Sequence, residues 1–184
     1  MWATLALLLC LAAPAATGWQ QGALVVGAPA RAFDLAALNP RVQDARDGEK
    51  RVALHDLVGM EPLRPARGVV VFFFDRGESS QGVRVLDAMS RRYRNQKVRF
   101  LGICLDNSDT TADWIRSLDL SFPILADPFR VVAGRYEVPS LPFLVLVDAE
   151  ARVFSAGGPE VGDFAGALET EIANLLVHGP PARE

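Results

Sequence analysis

Gly68-Val69-Val70-Val71-Phe72-Phe73-Phe74 runs directly into Asp75-Arg76-Gly77-Glu78-Ser79-Ser80-Gln81. Val69 to Phe74 is a continuous run of β-branched and aromatic residues, short and bounded by Gly68 and by Asp75-Arg76-Gly77. That pattern describes a strand buried on both faces. Ser79 or Ser80 is positioned to cap a helix that follows. On that helix Val83, Leu86, Ser90 and Tyr93 share a face, with Met89 beside it. Val98 to Cys104 reads as a second buried strand. Strand, helix and strand in this order require a crossover, which makes the two strands parallel neighbours.

Downstream, Asp106 to Asp109 is polar and suits the start of a helix carrying Trp114, Ile115 and Leu118. Ser121 to Leu125 is a short apolar piece, ended by Asp127-Pro128, and a brief helix is expected over Phe129 to Tyr136. Phe143 to Val147 and Ala151 to Ser155 alternate around Asp148-Ala149-Glu150 and predict a β-hairpin. Asp163 to Leu176 predicts a closing helix with Phe164, Leu168, Ile172 and Leu175 on one face. Upstream, Gln20 to Ala30 is a lead-in. Arg31 to Ala37 and Arg51 to Leu57 read as the two strands of an N-terminal β-hairpin. They flank a polar stretch, Asn39 to Lys50, whose turn signal is Asp47-Gly48. Gly59 to Gly68 is a loop with two prolines. The sum is an α/β domain: a mixed central sheet with helices on both faces and a hairpin in front. Neither an internal repeat nor a second domain is evident.

Composition narrows the function classes. The chain has 184 residues, 50% hydrophobic and 22% charged, enough for one well-packed core. A formal net charge of -3 with scattered charges gives no support for nucleic-acid binding. Met1 to Gly18 carries no charged residue. An apolar run, Leu5 to Ala13, precedes small residues at Ala13-Pro14-Ala15 and Ala16-Thr17-Gly18. Residues 1–18 therefore read as a signal peptide, 19–178 as the domain and 179–184 as a flexible Gly/Pro-rich tail. The lack of Lys or Arg before the apolar run leaves an uncleaved anchor and a misplaced start as rival readings. Leu9 precedes Cys10, where a lipoprotein signal needs a small residue, which argues against lipidation. Removal of the segment leaves Cys104 as the only cysteine, so no intramolecular disulfide can form. The expected location is extracytoplasmic, secreted or periplasmic, with no membrane contact beyond the signal segment.

Order and spacing resemble the thioredoxin superfamily. Within it the chain is similar to the redoxins: the alkyl hydroperoxide reductase/thiol-specific antioxidant group and the exported thiol-disulfide reductases. Val26-Gly27-Ala28-Pro29 with Phe33-Asp34-Leu35 looks like the family's lead-in, and Asp47-Gly48 with Val52, Leu54 and Asp56-Leu57 like its second hairpin strand. Phe122-Pro123-Ile124-Leu125-Ala126-Asp127 looks like its central link. Tyr136-Glu137-Val138, followed by Pro142 and Phe143 to Asp148, looks like its proline loop. The resemblance runs from about Val26 to Leu176 and implies a thioredoxin-like fold in which Pro142 is the cis-proline. Such a bond would leave the backbone of Leu141 free to pair with an extended peptide. The residues alone also allow a trans Pro142 that simply starts a strand.

The same resemblance exposes what is missing. In the reductases a Cys-x-x-Cys opens the helix, and Arg76 and Ser79 stand at those two positions here. A peroxidatic cysteine would fall near Ser80, with Gly77 where a Thr or Ser is needed three residues earlier. A serine hydroxyl cannot form the sulfenic acid of that chemistry, and no base is near it. His55 lies in the hairpin and His178 in the tail. They read as surface residues, and no Cys/His cluster has metal-ligand spacing. No cofactor is implied. Cys104 is either a small buried core residue or a one-cysteine redox centre at the strand's end. Arg84, Arg91, Arg92 and Arg94 describe a solvated helix face, Asp87 and Arg91 being spaced to pair, and Phe72 to Phe74 belong to the core.

Three functions fit. The leading one is a non-catalytic redoxin domain that binds or scaffolds a polypeptide or redox-protein partner. Its groove would lie between residues 75–81 (Arg76 and Glu78 included) and Leu141-Pro142. The alternative is a thiol oxidoreductase or peroxidase working through Cys104. The third is a structural subunit with its groove closed.

Overall fold

The computed structural model describes residues 19–20, 24–39, 51–77, 80–106, 108–159 and 164–180. The signal-peptide reading of residues 1–18 with Cys10, the Asp47-Gly48 turn, Glu78, Ser79 and the last residues of the tail lie outside them.

Among the described residues, eight strands and four α-helices follow in chain order: β1 (Trp19–Gln20), β2 (Asp34–Ala36), β3 (Arg51–Ala53), β4 (Gly68–Phe74), α1 (Ser80–Tyr93), β5 (Val98–Cys104), α2 (Asp109–Ser117), β6 (Ile124–Ala126), α3 (Val131–Arg135), β7 (Phe143–Asp148), β8 (Val153–Pro159) and α4 (Phe164–His178). The main sheet has the order β1-β8-β7-β4-β5-β6, while β2 and β3 form the separate antiparallel hairpin. The pairs β4–β5 and β5–β6 are parallel; β4–β7 and β7–β8 are antiparallel. This is the mixed sheet expected from the sequence.

Every residue of β4 is buried. The strand's alternation splits the core in two. Val70, Phe72 and Phe74 join Val83, Leu86, Met89 and Tyr93 of α1, Ile115 of α2, and Leu168, Ile172 and Leu175 of α4. Val69, Val71 and Phe73 meet the opposite layer: Phe33, Val52, Leu54, Leu57, Val132, Ala133 and Tyr136. Three helices therefore cover one face, and α3 with the N-terminal hairpin covers the other. The Tyr136 hydroxyl stitches this second layer together by donating to the Arg31 carbonyl at 2.8 Å.

Several bounds differ from the sequence reading, each for a local reason. The return strand stops at Ala53, because Leu54–Asp56 turn as a 3-10 helix whose leucine is buried. The brief helix begins at Val131 rather than Phe129, since Arg130 is left-handed at φ 54. Ala151 is also left-handed at φ 60, which delays β8 to Val153; the strand then continues to Pro159 and pairs with β1. The closing helix runs on to His178 instead of leaving it in the tail. The β6 edge of the main sheet is partly covered. At β6, the Asn39 side chain accepts from Ile124 N–H at 2.7 Å and donates to the Phe122 carbonyl at 3.0 Å, acting as a short surrogate strand.

Gly82 shows how tightly the helical layer is packed. A Cβ there would lie 2.7 Å from the Phe72 ring. That ring is stacked on Phe74 at 5.4 Å and held by Phe164 at 5.8 Å, so it has little room to retreat. Alanine gains about 1 kcal/mol over glycine in a helix, but overpacking costs about 1–3 kcal/mol. Gly82→Ala is therefore expected to lower the thermal midpoint. Gly134→Ala, in α3 with nothing within 4 Å of its Cβ, is expected to raise it. Paired melting curves check both signs.

Candidate functional site

The parallel strands β4 and β5 end together, at Phe74 and Cys104. Chain leaving the carboxyl ends of such strands is where this class of sheet places ligands. A cleft of about 460 Å³ opens at this end. Its wall is Asp75 after β4, Leu105 after β5, Arg130 with Ala133 and Gly134 of α3, and Val138 to Leu141 ahead of β7. The Leu141–Pro142 peptide bond is cis. Leu141 is half-buried, and its N–H and C=O make no hydrogen bond to other described residues.

The residues named from the sequence divide here. Leu141 lines the cleft; Pro142 and Arg76 do not. Arg76 turns the other way and donates from Nη1 to Thr110 Oγ1 at 3.0 Å. Thr110 belongs to a hydroxyl cluster at the start of α2. Ser108 Oγ lies 3.1 Å from Thr110 Oγ1 and 2.7 Å from Thr111 Oγ1, and Thr111 donates to Asp106 Oδ2 at 3.0 Å. This polar chain fastens the loop after β4 to α2, so Arg76 belongs to a brace rather than to the cleft. Ser80 opens α1.

Arg130 and its setting were not legible in the sequence, where Asp127-Pro128 reads only as a strand stop. Asp127 is buried, and its two carboxylate oxygens accept from Val131 N–H and Ala133 N–H, each at 2.9 Å. Its carbonyl accepts from Arg130 N–H at 3.0 Å. One buried carboxylate thus satisfies the first turn of α3 and bends the chain so that Arg130 reaches the cleft.

Cys104 is fully buried, and it faces away. Its side chain packs in the layer of Phe72, Phe74 and α1, while the cleft-lining Leu105 and Ala133 belong to the opposite layer. Burial pushes the Cys104 thiol up to about 11. The Asp106 N–H offsets this in part, and the Asp106 and Asp75 carboxylates add to it. Among the described residues, no group of three or more His, Cys, Asp or Glu side chains is arranged to hold a metal ion.

Sheet order, the cleft at the strand ends and the cis-proline ahead of β7 define a thioredoxin-like fold of the redoxin kind. The chain belongs to the AhpC/TSA family, whose sequence pattern matches residues 26–155. Solved structures agree on the fold. A Chlorobium tepidum protein assigned as thiol:disulfide interchange protein DsbE aligns at 20% identity over 83% of this chain and 99% of its own, with a TM-score of 0.68. Peroxidoxin BcpB of Mycobacterium tuberculosis aligns at 15% identity over 84% and 98%, with a TM-score of 0.64. The pneumococcal exposed lipoprotein thioredoxin Etrx1 of Streptococcus pneumoniae aligns at 18% identity over 78% and 99%, with a TM-score of 0.58. No curated protein sequence matches the chain.

The thiol's setting makes two expectations. At pH 7 a thiol of this pKa is thiolate in roughly one molecule in ten thousand. Native Cys104 should react with a thiol reagent on the order of a hundredfold more slowly than the denaturant-unfolded chain. Labelling of the folded protein within seconds at neutral pH contradicts this. The folded pKa lies above the ordinary thiol value of 9.0, so the folded state holds its proton longer than the unfolded state. The associated stability is complete below pH 9 and is lost as the pH rises through 11. Denaturant curves of Cys104→Ala should lack that component of the loss.

Proposed function

We propose that this AhpC/TSA-family chain is a non-catalytic redoxin domain, working outside the cytosol, whose cleft holds an extended polypeptide. The observation that carries the proposal is the parity of Cys104. The cysteine lies at the end of the strand that borders the cleft, yet its thiol is buried in the layer on the other side of the sheet. The resemblance sets Arg76 and Ser79 at the places of the family's cysteine pair, and Arg76 is engaged in bracing α2. Among the described residues lining this cleft there is no thiol for the family's disulfide or peroxide chemistry.

What the cleft retains is backbone. An extended segment laid beside Leu141 can pair with its N–H and C=O as an added strand, with Val138 and Leu105 supplying apolar wall. Location outside the cytosol is supported by the apolar leader at residues 1–18 and by the likeness to an exposed lipoprotein thioredoxin. Among the described residues no helix is long and apolar enough to cross a membrane.

The mature chain should leave insulin disulfides and hydroperoxides at the buffer rate, and should bind members of a library of labelled unstructured peptides. Gly134 offers a clean way to close the cleft, because nothing lies within 4 Å of its Cβ. Gly134→Trp should fold, and should weaken peptide binding by about tenfold or more by occupying the volume. Turnover of either substrate, lost in Cys104→Ala, would overturn the non-catalytic reading. Unchanged peptide affinity in Gly134→Trp would remove the cleft as the binding site.

A further inference from the structure

We propose that the cleft selects polypeptide segments carrying carboxylates, and that Arg130 is the residue that selects them. The inference rests on the polypeptide-binding reading above and names the chemistry of the bound segment. Most arginines of the domain are occupied. Arg51 and Arg91 pair with Asp34 and Asp87, Arg92 with Glu169, and Arg116 with Asp113. Arg152 donates to the Gly27 carbonyl and Arg67 to that of Leu176. Arg130 lines the cleft, and its side chain makes no hydrogen bond or ion pair with other described residues. The other charged group in the wall, Asp75, has Oδ1 turned onto the Gly77 N–H of its own loop at 3.1 Å.

Backbone geometry strengthens the assignment. Arg130 sits at φ 54, a conformation that favours glycine and disfavours any side chain with a Cβ. It is held there by Asp127, whose carbonyl takes the Arg130 N–H and whose carboxylate takes those of Val131 and Ala133. On backbone grounds glycine would serve better at this position. What arginine adds is a guanidinium in the cleft, with a planar fork suited to a carboxylate. On either side in sequence, Phe129 and Val131 are 82% and 52% exposed, large apolar side chains left at the surface beside a single cation. That combination suits a segment with acidic and apolar residues. An added strand presents alternate side chains to one face, so acidic residues at alternate positions can meet Arg130 in more than one register.

The test uses two labelled peptides of one Val/Thr/Ala sequence, one with Glu and the other with Gln at alternate positions. Fluorescence anisotropy at low ionic strength should show the Glu peptide binding about threefold to tenfold more tightly, with the difference shrinking as salt is added. Arg130→Gly should erase the difference between the two peptides. It should also raise the thermal midpoint by about 2–4 °C, because glycine fits the left-handed backbone. Arg130→Glu should reverse the preference. Equal binding of the two peptides by the parent, or a preference that survives Arg130→Gly, overturns this inference and leaves the polypeptide-binding cleft standing. Failure of both peptides to bind overturns both.

Discussion

The central strand β4 has no free side. It pairs along its length with β5 and along most of it with β7, and every residue is buried. Gly68, at its start, has no space for a side chain: a Cβ there would lie 2.2 Å from Leu175 Cδ2 and 3.1 Å from the Val147 carbonyl oxygen. A strand so enclosed cannot shift register without moving two cores at once. It therefore fixes where the loop of Asp75 to Gly77 leaves the sheet. The parallel partner fixes Leu105 beside it, and the antiparallel partner brings Leu141 and Pro142 to the same end. The cleft is the consequence of three chain segments being forced to leave one sheet edge together.

Alternation along β5 then decides the chemistry. Leu101 and Ile103 point into the layer of the hairpin and α3, while Phe100 and Cys104 point into the layer of the helices. Leu105, next in sequence, turns to the cleft. A thiol one residue further along would stand in the cleft wall beside Arg130. One position earlier in phase, it sits among phenylalanines with its proton held firmly. Side-chain direction in a strand has period two, so a single position separates a reactive place from a core place.

The cleft's other wall depends on a buried charge. Burying the Asp127 carboxylate would be costly if it were left unpaired. Here two backbone N–H groups satisfy it, and in doing so they set the start of α3 and the left-handed turn at Arg130. On the far side, the Arg76–Thr110 brace and the hydroxyls behind it hold the loop after β4 against α2. The end of the molecule is thus built from polar contacts at loops and helix starts, one of them tying the loop after β4 to α2, laid over an apolar sheet that positions them.

The sequence by itself determined the sheet and its covering helices. The unbroken run Val69 to Phe74, the helical spacing of Val83, Leu86 and Tyr93, and the alternation around Asp148-Ala149-Glu150 are local patterns that the solvent preference of each side chain enforces. It also determined that no cysteine stands in the stretch that follows β4, since the chain's two cysteines are Cys10 and Cys104. Local pattern could not tell where Arg76 points, because Thr110 approaches it only when α2 docks. Nor could it reveal that Asp127 is buried, or that Arg130 reaches the cleft through a left-handed bend, since an Asp-Pro pair signals a turn without saying what the turn presents. Cys104 was open to both readings for the same reason. Only the pairing of β5 between β4 and β6 assigns each of its residues to a layer, and that assignment is a property of the assembled sheet.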